Sequence, residues 1–157
     1  MAQKRFVVLC GPAAAGKRTL VSALERAGVS FAYVHPVRTP LAFDAAEEEE
    51  DERWYRDTPS GQVRSLSPDW SIVVRGRERI VAFSFTDLKA VLEAHNVAMS
   101  ILPYAIVSQL RSHRWMRDAC EQGKLALRTV LVSPFSGHEF LQCAEVQPQV
   151  AEAVLLT

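Results

Sequence analysis

Apolar residues fall into runs and stripes along this chain, and the two patterns separate strands from helices. Residues 6–10 (FVVLC) form a continuous apolar run with turn chemistry behind it, as expected of a strand buried on both faces. Between residues 17 and 27, Leu20, Val21, Leu24 and Ala27 recur at helical spacing, and Gly28 follows as a C-terminal cap. Residues 31–34 (FAYV) are short and aromatic-rich and read as a second strand. Strand, glycine-bearing loop, helix and strand in this order make a βαβ unit.

The middle of the chain changes character. Residues 47–52 are an unbroken acidic run, and residues 58–69 are rich in Ser, Pro and Gly, so both stretches read as loop. Residues 72–74 and 79–85 are β-rich and separated by Arg75-Gly76-Arg77-Glu78, which suits a hairpin. Thr86 then caps a helix with Asp87 in its first turn and Leu88, Val91, Leu92 and His95 on its apolar face. Residues 97–102 predict another buried strand. Ile106, Val107 and Leu110 begin a helix expected to run to Gly123, and residues 125–132 predict the last strand. Beyond Pro134 the pattern weakens to a helical stretch near 139–144 and an apolar end at 150–156.

Composition narrows the class. The 157 residues suit one domain, and with 48% of them apolar the chain can bury a core; neither repeats nor a second domain show in the pattern. Eighteen basic residues balance eighteen acidic ones, which argues against a dedicated nucleic-acid binder. Cys10, Cys120 and Cys143 are odd in number and far apart, so a reducing, cytoplasmic setting is expected rather than a disulfide framework. No apolar run reaches the length of a membrane span, and no direct membrane insertion is expected. The N-terminus enters a strand at once without a signal-peptide pattern, and the short end is what a domain cut from a longer chain is expected to have.

The strongest chemical signal is GPAAAGKRT at residues 11–19, between a predicted strand and a predicted helix. Gly11 and Gly16 let the backbone fold around an anion and present its N–H groups, the helix N-terminus adds partial positive charge, and Lys17 supplies a full one. The phosphate-loop pattern asks for Ser or Thr directly after the lysine, where its hydroxyl ligates magnesium. Here Arg18 stands there, and Thr19 comes one place late. The plainer reading is a glycine turn between strand and helix with no ligand.

This stretch, CGPAAAGKRTL, resembles the opening of guanylate kinases and of the guanylate-kinase-like domains of membrane-associated scaffold proteins, whose loops read GPSGxGKST. YVHPVRTP at residues 33–40 is similar to the family's threonine-threonine-arginine-x-proline stretch, where the arginine grips the phosphate of GMP. Arg38 and Pro40 match, while Pro36 and Val37 replace the threonines. AFS at 82–84, the helix after it, VAMSIL, a further helix and RTVLVSP follow the family's order of elements, so the resemblance covers roughly residues 5–136. It implies an α/β fold with a P-loop parallel sheet, flanking helices and a small inserted β-rich lobe. The whole chain, 1–157, would be a single domain with its core at about 5–34 and 86–157 and the lobe at about 35–85.

The departures from the family carry as much information. Where the family closes a strand with a magnesium-organising aspartate, this chain has Pro103. The family's second phosphate-gripping arginine would fall near Leu41 and is missing. Its guanine-reading acidic segment has only a loose counterpart in Glu47–Glu52 with Trp54 and Tyr55, and that run reads rather as a solvated loop. After Arg128 there is no Lys or Arg, so no arginine-bearing lid follows the last strand. Phosphoryl transfer depends on positioning and charge neutralisation, and each lost contact typically costs about a hundredfold or more in rate.

Other constellations are weaker. His35, His95, His113 and His138 show no zinc spacing, and His95 reads as a packed core residue. Arg111, Arg114 and Arg117 with Trp115 form a basic helical patch, either a surface helix anchored by one tryptophan or a partner site. The hairpin arginines Arg75, Arg77 and Arg79 could face an anion. The resemblance and the missing chemistry together imply a catalytically degenerate guanylate-kinase-like domain serving as a protein-interaction or scaffold module. Its phosphate loop would comprise Gly11, Gly16, Lys17, Arg18 and Thr19. The former GMP cleft, with Arg38, Tyr55 and Ser84, would hold an acidic or phosphorylated partner segment, Arg38 being expected as a loop arginine that adds little to the core. No catalytic residue and no metal ligand is assigned, and no nucleic-acid partner is expected. The alternatives are an active nucleoside-monophosphate kinase using ATP, or a module that binds ATP or ADP, with or without magnesium, without turnover.

Overall fold

The computed structural model describes residues 2–40, 53–76 and 79–133. The readings for Leu41, residues 47–52, Arg77, His138, Cys143 and the tail at 139–144 and 150–156 lie outside the described residues. The fold is mixed α/β, with two four-stranded sheets. The first is wholly parallel and contains β1 (Lys4–Cys10), β2 (Ala32–Tyr33), β7 (Val97–Ile101) and β8 (Leu125–Leu131) in the order β2-β7-β1-β8. Strand β1 lies at its centre, and its alternation divides the core. Phe6, Val8 and Cys10 point into the larger cluster, while Leu9 joins Val21, Trp54, Met99 and Ile101 on the other face.

The second sheet holds β3 (Val37–Arg38), β4 (Arg56–Asp57), β5 (Ser71–Arg75) and β6 (Ile80–Ser84) in the order β4-β3-β6-β5. Strands β5 and β6 form the expected hairpin, closed by the Gly76 N–H donating to the Arg79 carbonyl at 2.8 Å. The sheets share a core. Phe6 of the parallel sheet stacks on Phe83 of the hairpin at 5.3 Å, and Phe83 meets Phe85 edge-on at 5.6 Å. All three rings are fully buried, and truncating any one to alanine would cost about 3–5 kcal/mol.

The helices are α1 (Lys17–Arg26), α2 (Ser60–Arg64), α3 (Phe85–Ala94), α4 (Tyr104–Leu110) and α5 (Arg114–Glu121). Gly28 ends α1 as expected. It takes φ +76°, its N–H reaches the Glu25 carbonyl, and the Val29 N–H reaches that of Leu24, two bonds that only a left-handed residue lets form together.

Four expectations are corrected. The cap of α3 is Ser84, whose hydroxyl accepts from the Asp87 N–H at 3.2 Å; Thr86 is exposed inside the first turn. His95 lies one residue past α3, exposed in extended backbone, with its carbonyl accepting from Lys4 Nζ at 3.1 Å. The single helix expected from Ile106 to Gly123 is two, because His113 leaves helical geometry (ψ 130°) to lay its ring 4.2 Å from that of Phe85 and bring Nε2 within 2.8 Å of the Pro68 carbonyl. Inside the expected loop 58–69, α2 forms because Val63 is buried against Val37, Ile80 and Ala82. No helix among the described residues is long and apolar enough to cross a membrane.

Candidate phosphate-loop site

Strand β1 ends at Cys10 and the chain turns through Gly11 at φ +146°. A side chain there would drive into the Val132 carbonyl oxygen, because the Val132 N–H already holds the Cys10 carbonyl at 2.8 Å. Ala14 takes the left-handed region at φ 58°, where the loop it resembles carries glycine, and Gly16 does the same at φ 95° as the N-cap of α1. Lys17, the first helical residue, donates from Nζ to the carbonyls of Gly11 at 2.8 Å and Pro12 at 2.6 Å. Burial lowers its pKa from the ordinary lysine value, and burial raises that of the neighbouring Cys10 thiol.

Residues 13–19 border a cleft of about 580 Å³ whose far side is Tyr55, Ile101, Leu102 and Pro103. The structure thus brings together all five residues predicted for the loop, Gly11, Gly16, Lys17, Arg18 and Thr19. It also places Tyr55 at their edge. No carboxylate occurs among the described lining residues. Pro103, at the end of β7, is the N-cap of α4 with φ −66° and offers neither charge nor ligand. No group of three His, Cys, Asp or Glu among the described residues could hold a metal ion. Lys17 and Arg18 suit a phosphate, and the oxygen-bearing side chains of the described lining are Thr19 and Tyr55.

Arg18 turns its guanidinium over the Trp54 ring, 5.8 Å from the centroid, and Arg53 lies 4.8 Å from the same ring while pairing with Glu25. Trp54 is 7% exposed, and the sequence reading named it beside Tyr55 without a role at the loop. Its position directly before Tyr55, after an acidic run, was the available signal. Tyr33 meets it edge-on at 5.5 Å, and the Tyr33 hydroxyl donates to the Trp54 carbonyl and accepts from the Ile101 N–H, each at 3.3 Å. These contacts fasten residues 53–57 to the end of the parallel sheet beside the loop. Burial pushes the Tyr33 hydroxyl up to about 12.

Of the residues expected in the second cleft, Arg38 and Tyr55 stay in contact, and Ser84 is not among its described lining. Arg38 lies in β3, 5% exposed, with Nε donating to Asp57 Oδ1 at 2.9 Å and its guanidinium 4.6 Å from the Tyr55 ring centroid. The expectation of a loop arginine that adds little to the core is corrected, because β3 pairs on both sides and carries Arg38 inward. Ser84 is buried and its hydroxyl serves as the cap of α3. Tyr55 does border a cleft of about 630 Å³, with Tyr33, His35, Asp57 and the ion pair Arg56–Asp87 at 2.8 Å. Arg38 is not among its described lining. Asp57, the partner of Arg38, had no distinguishing mark in the sequence.

No protein-family model and no curated protein sequence matches this chain. In fold it is similar to the crystal structure of guanylate kinase from Anaplasma phagocytophilum, with a TM-score of 0.59 and 12% identity over 98% of this chain and 71% of that one. The chain therefore has a guanylate-kinase-like fold, with the glycine loop at the C-terminal end of its central strand.

Proposed function

We propose that this domain is a catalytically degenerate guanylate-kinase-like module that works by binding, as a protein-interaction or scaffold unit, and does not transfer phosphate. The observation that carries this reading is the described lining of the loop cleft. It offers Lys17, Arg18 and backbone N–H groups to an anion, yet Arg18 stands where a metal-ligating hydroxyl belongs and Pro103 where a carboxylate would. Without those groups a magnesium–triphosphate is not positioned, and positioning is nearly all that a phosphotransferase contributes. The Arg38 guanidinium pairs with Asp57 in the second sheet, and this reading rests on the loop cleft rather than on Arg38.

A second reading, binding of ATP or ADP without turnover, is favoured by the volume of the cleft and by Lys17. Both readings give the same assay result and differ in titration. With ATP, GMP and magnesium, turnover stays well below the rate of about one per second typical of enzymes. Turnover in that range, abolished by Lys17→Ala, would overturn the degenerate reading. Calorimetric titration with ADP then separates the two, a saturable heat lost in Lys17→Ala marking the nucleotide-binding form.

A further inference from the structure

The two walls of the loop cleft are built differently. Its near wall, residues 13–19, is one continuous stretch running from behind β1 into α1. Its far wall joins Tyr55 to Ile101, Leu102 and Pro103 at the end of β7. Among the described residues no strand pairing links those two pieces. Strand β4 begins at Arg56 and pairs with β3, whereas β7 pairs with β1 and β2.

Tyr33 links them through its side chain. The backbone of β2 ends at Tyr33, in register with Met99, and the phenol oxygen reaches further. It donates to the Trp54 carbonyl, 21 positions along the chain, and accepts from the Ile101 N–H, 68 positions along, each at 3.3 Å. One bond thus holds the residue before Tyr55, and the other holds the first residue of the β7 part of the wall. A phenol suits this place because it donates and accepts at one atom. Two edge-on neighbours fix its ring, Trp54 with centroids 5.5 Å apart and His35 at 5.1 Å. Trp54 and Ile101 are both buried, and a buried backbone group that loses its partner is costly.

We propose that Tyr33 is a positioning residue for the loop cleft, its hydroxyl setting how the far wall stands against residues 13–19 and so how tightly the cleft holds a phosphate-bearing ligand. Tyr33 is not among the described lining residues of that cleft and acts through Tyr55 and the end of β7. This role rests on the reading that the cleft holds ADP. A ligand that fills about 580 Å³ lies against both walls. In Tyr33→Phe the ring still packs on Trp54, but both backbone groups lose the phenol. The wall then spends part of its time displaced, and the apparent dissociation constant rises as the competent fraction falls.

The test titrates the full chain with ADP in chelator by calorimetry, as wild type, Tyr33→Phe and Val63→Ala. Val63 is buried in the second sheet with Val37, Ile80 and Ala82, so its truncation lowers stability without touching the loop cleft. Tyr33→Phe should weaken ADP by about fivefold. Val63→Ala should keep ADP affinity within about twofold of wild type while losing urea-unfolding stability. Amide hydrogen exchange reads the wall without ligand. The Ile101 amide should exchange about fivefold or more faster in Tyr33→Phe, and the Val34 amide, which donates to the Met99 carbonyl at 2.8 Å, should be unchanged. Equal ADP affinity in wild type and Tyr33→Phe overturns the proposal and leaves the ADP reading standing. Ile101 exchange that the variant does not alter also overturns it, as does an equal loss of ADP in Val63→Ala, which assigns the effect to general stability. No saturable heat in the wild type overturns the ADP reading, and this role with it.

Discussion

The Tyr33 hydroxyl sits between the Trp54 carbonyl and the Ile101 N–H, and its burial pushes it up to about 12. The folded chain therefore keeps a proton that the unfolded chain releases near pH 10, and this contribution is fully present below that value and lost as pH rises through 12. Between about pH 10 and 12, urea-unfolding free energy should fall by on the order of 2 kcal/mol more in the wild type than in Tyr33→Phe. Equal slopes would mean that this phenol does not control alkaline stability. The loop offers a second residue-scale test. Ala14 holds φ 58°, where a Cβ costs roughly 1–2 kcal/mol, and glycine returns about 0.5–1 kcal/mol of that through the unfolded state. Ala14→Gly should therefore raise stability by about 0.5–1 kcal/mol, read from the urea midpoint. Gly11→Ala should do the reverse and by more, because its new methyl meets the Val132 carbonyl.

Pairing of β3 with β4 is short, two residues in register, and the Arg38–Asp57 ion pair links their side chains. Removing Asp57 takes one carboxylate from the buried Arg38 guanidinium. Asp57→Ala should cost about 2 kcal/mol, less than a fully buried pair would lose, since the Asp57 side chain is a quarter exposed. Arg38→Met with Asp57→Leu should recover most of that loss, and a double variant as unstable as the single one would assign the cost to packing instead. This pair also marks where elements were legible from sequence. Strands β1 and β7 are largely apolar runs that neighbours cover, and edge strand β8 alternates buried Leu125, Leu127 and Thr129 with exposed Arg128 and Val130, so pattern alone finds all three. Strands β3 and β4 have two residues each, too few for any period to register, and backbone pairing with residues 19 or more positions away defines them. The break between α4 and α5 escapes for a related reason. It is set by His113 against Phe85, a contact of residues far apart in sequence. Ser84 and Thr86 both precede an apolar periodicity, and burial of Phe85 between them decides which hydroxyl caps the helix.

At the scale of the whole molecule, the glycine loop was legible because strand, loop and helix are local, whereas the far wall of its cleft is not. Tyr55 and Pro103 reach that wall from segments 48 positions apart, Pro103 because β7 lies beside β1 and Tyr55 because Tyr33 holds Trp54. That wall decides what the loop can hold, and it can be rebuilt. Arg18→Ser restores a hydroxyl after Lys17, and Pro103→Asp puts a carboxylate at the end of β7, where an aspartate is also a favourable N-cap for α4. In wild type, ADP affinity should change by no more than about twofold when magnesium is replaced by a chelator, because Lys17, Arg18 and the loop N–H groups carry the anion. In the double variant the same exchange should weaken ADP by about tenfold or more, since two hard oxygen ligands now face the diphosphate. Turnover with GMP should stay absent in both, because two added oxygen ligands hold the metal without supplying the further cations that phosphoryl transfer needs. Metal dependence already present in the wild type would show that magnesium finds oxygen ligands without these two replacements, and would restore the kinase reading.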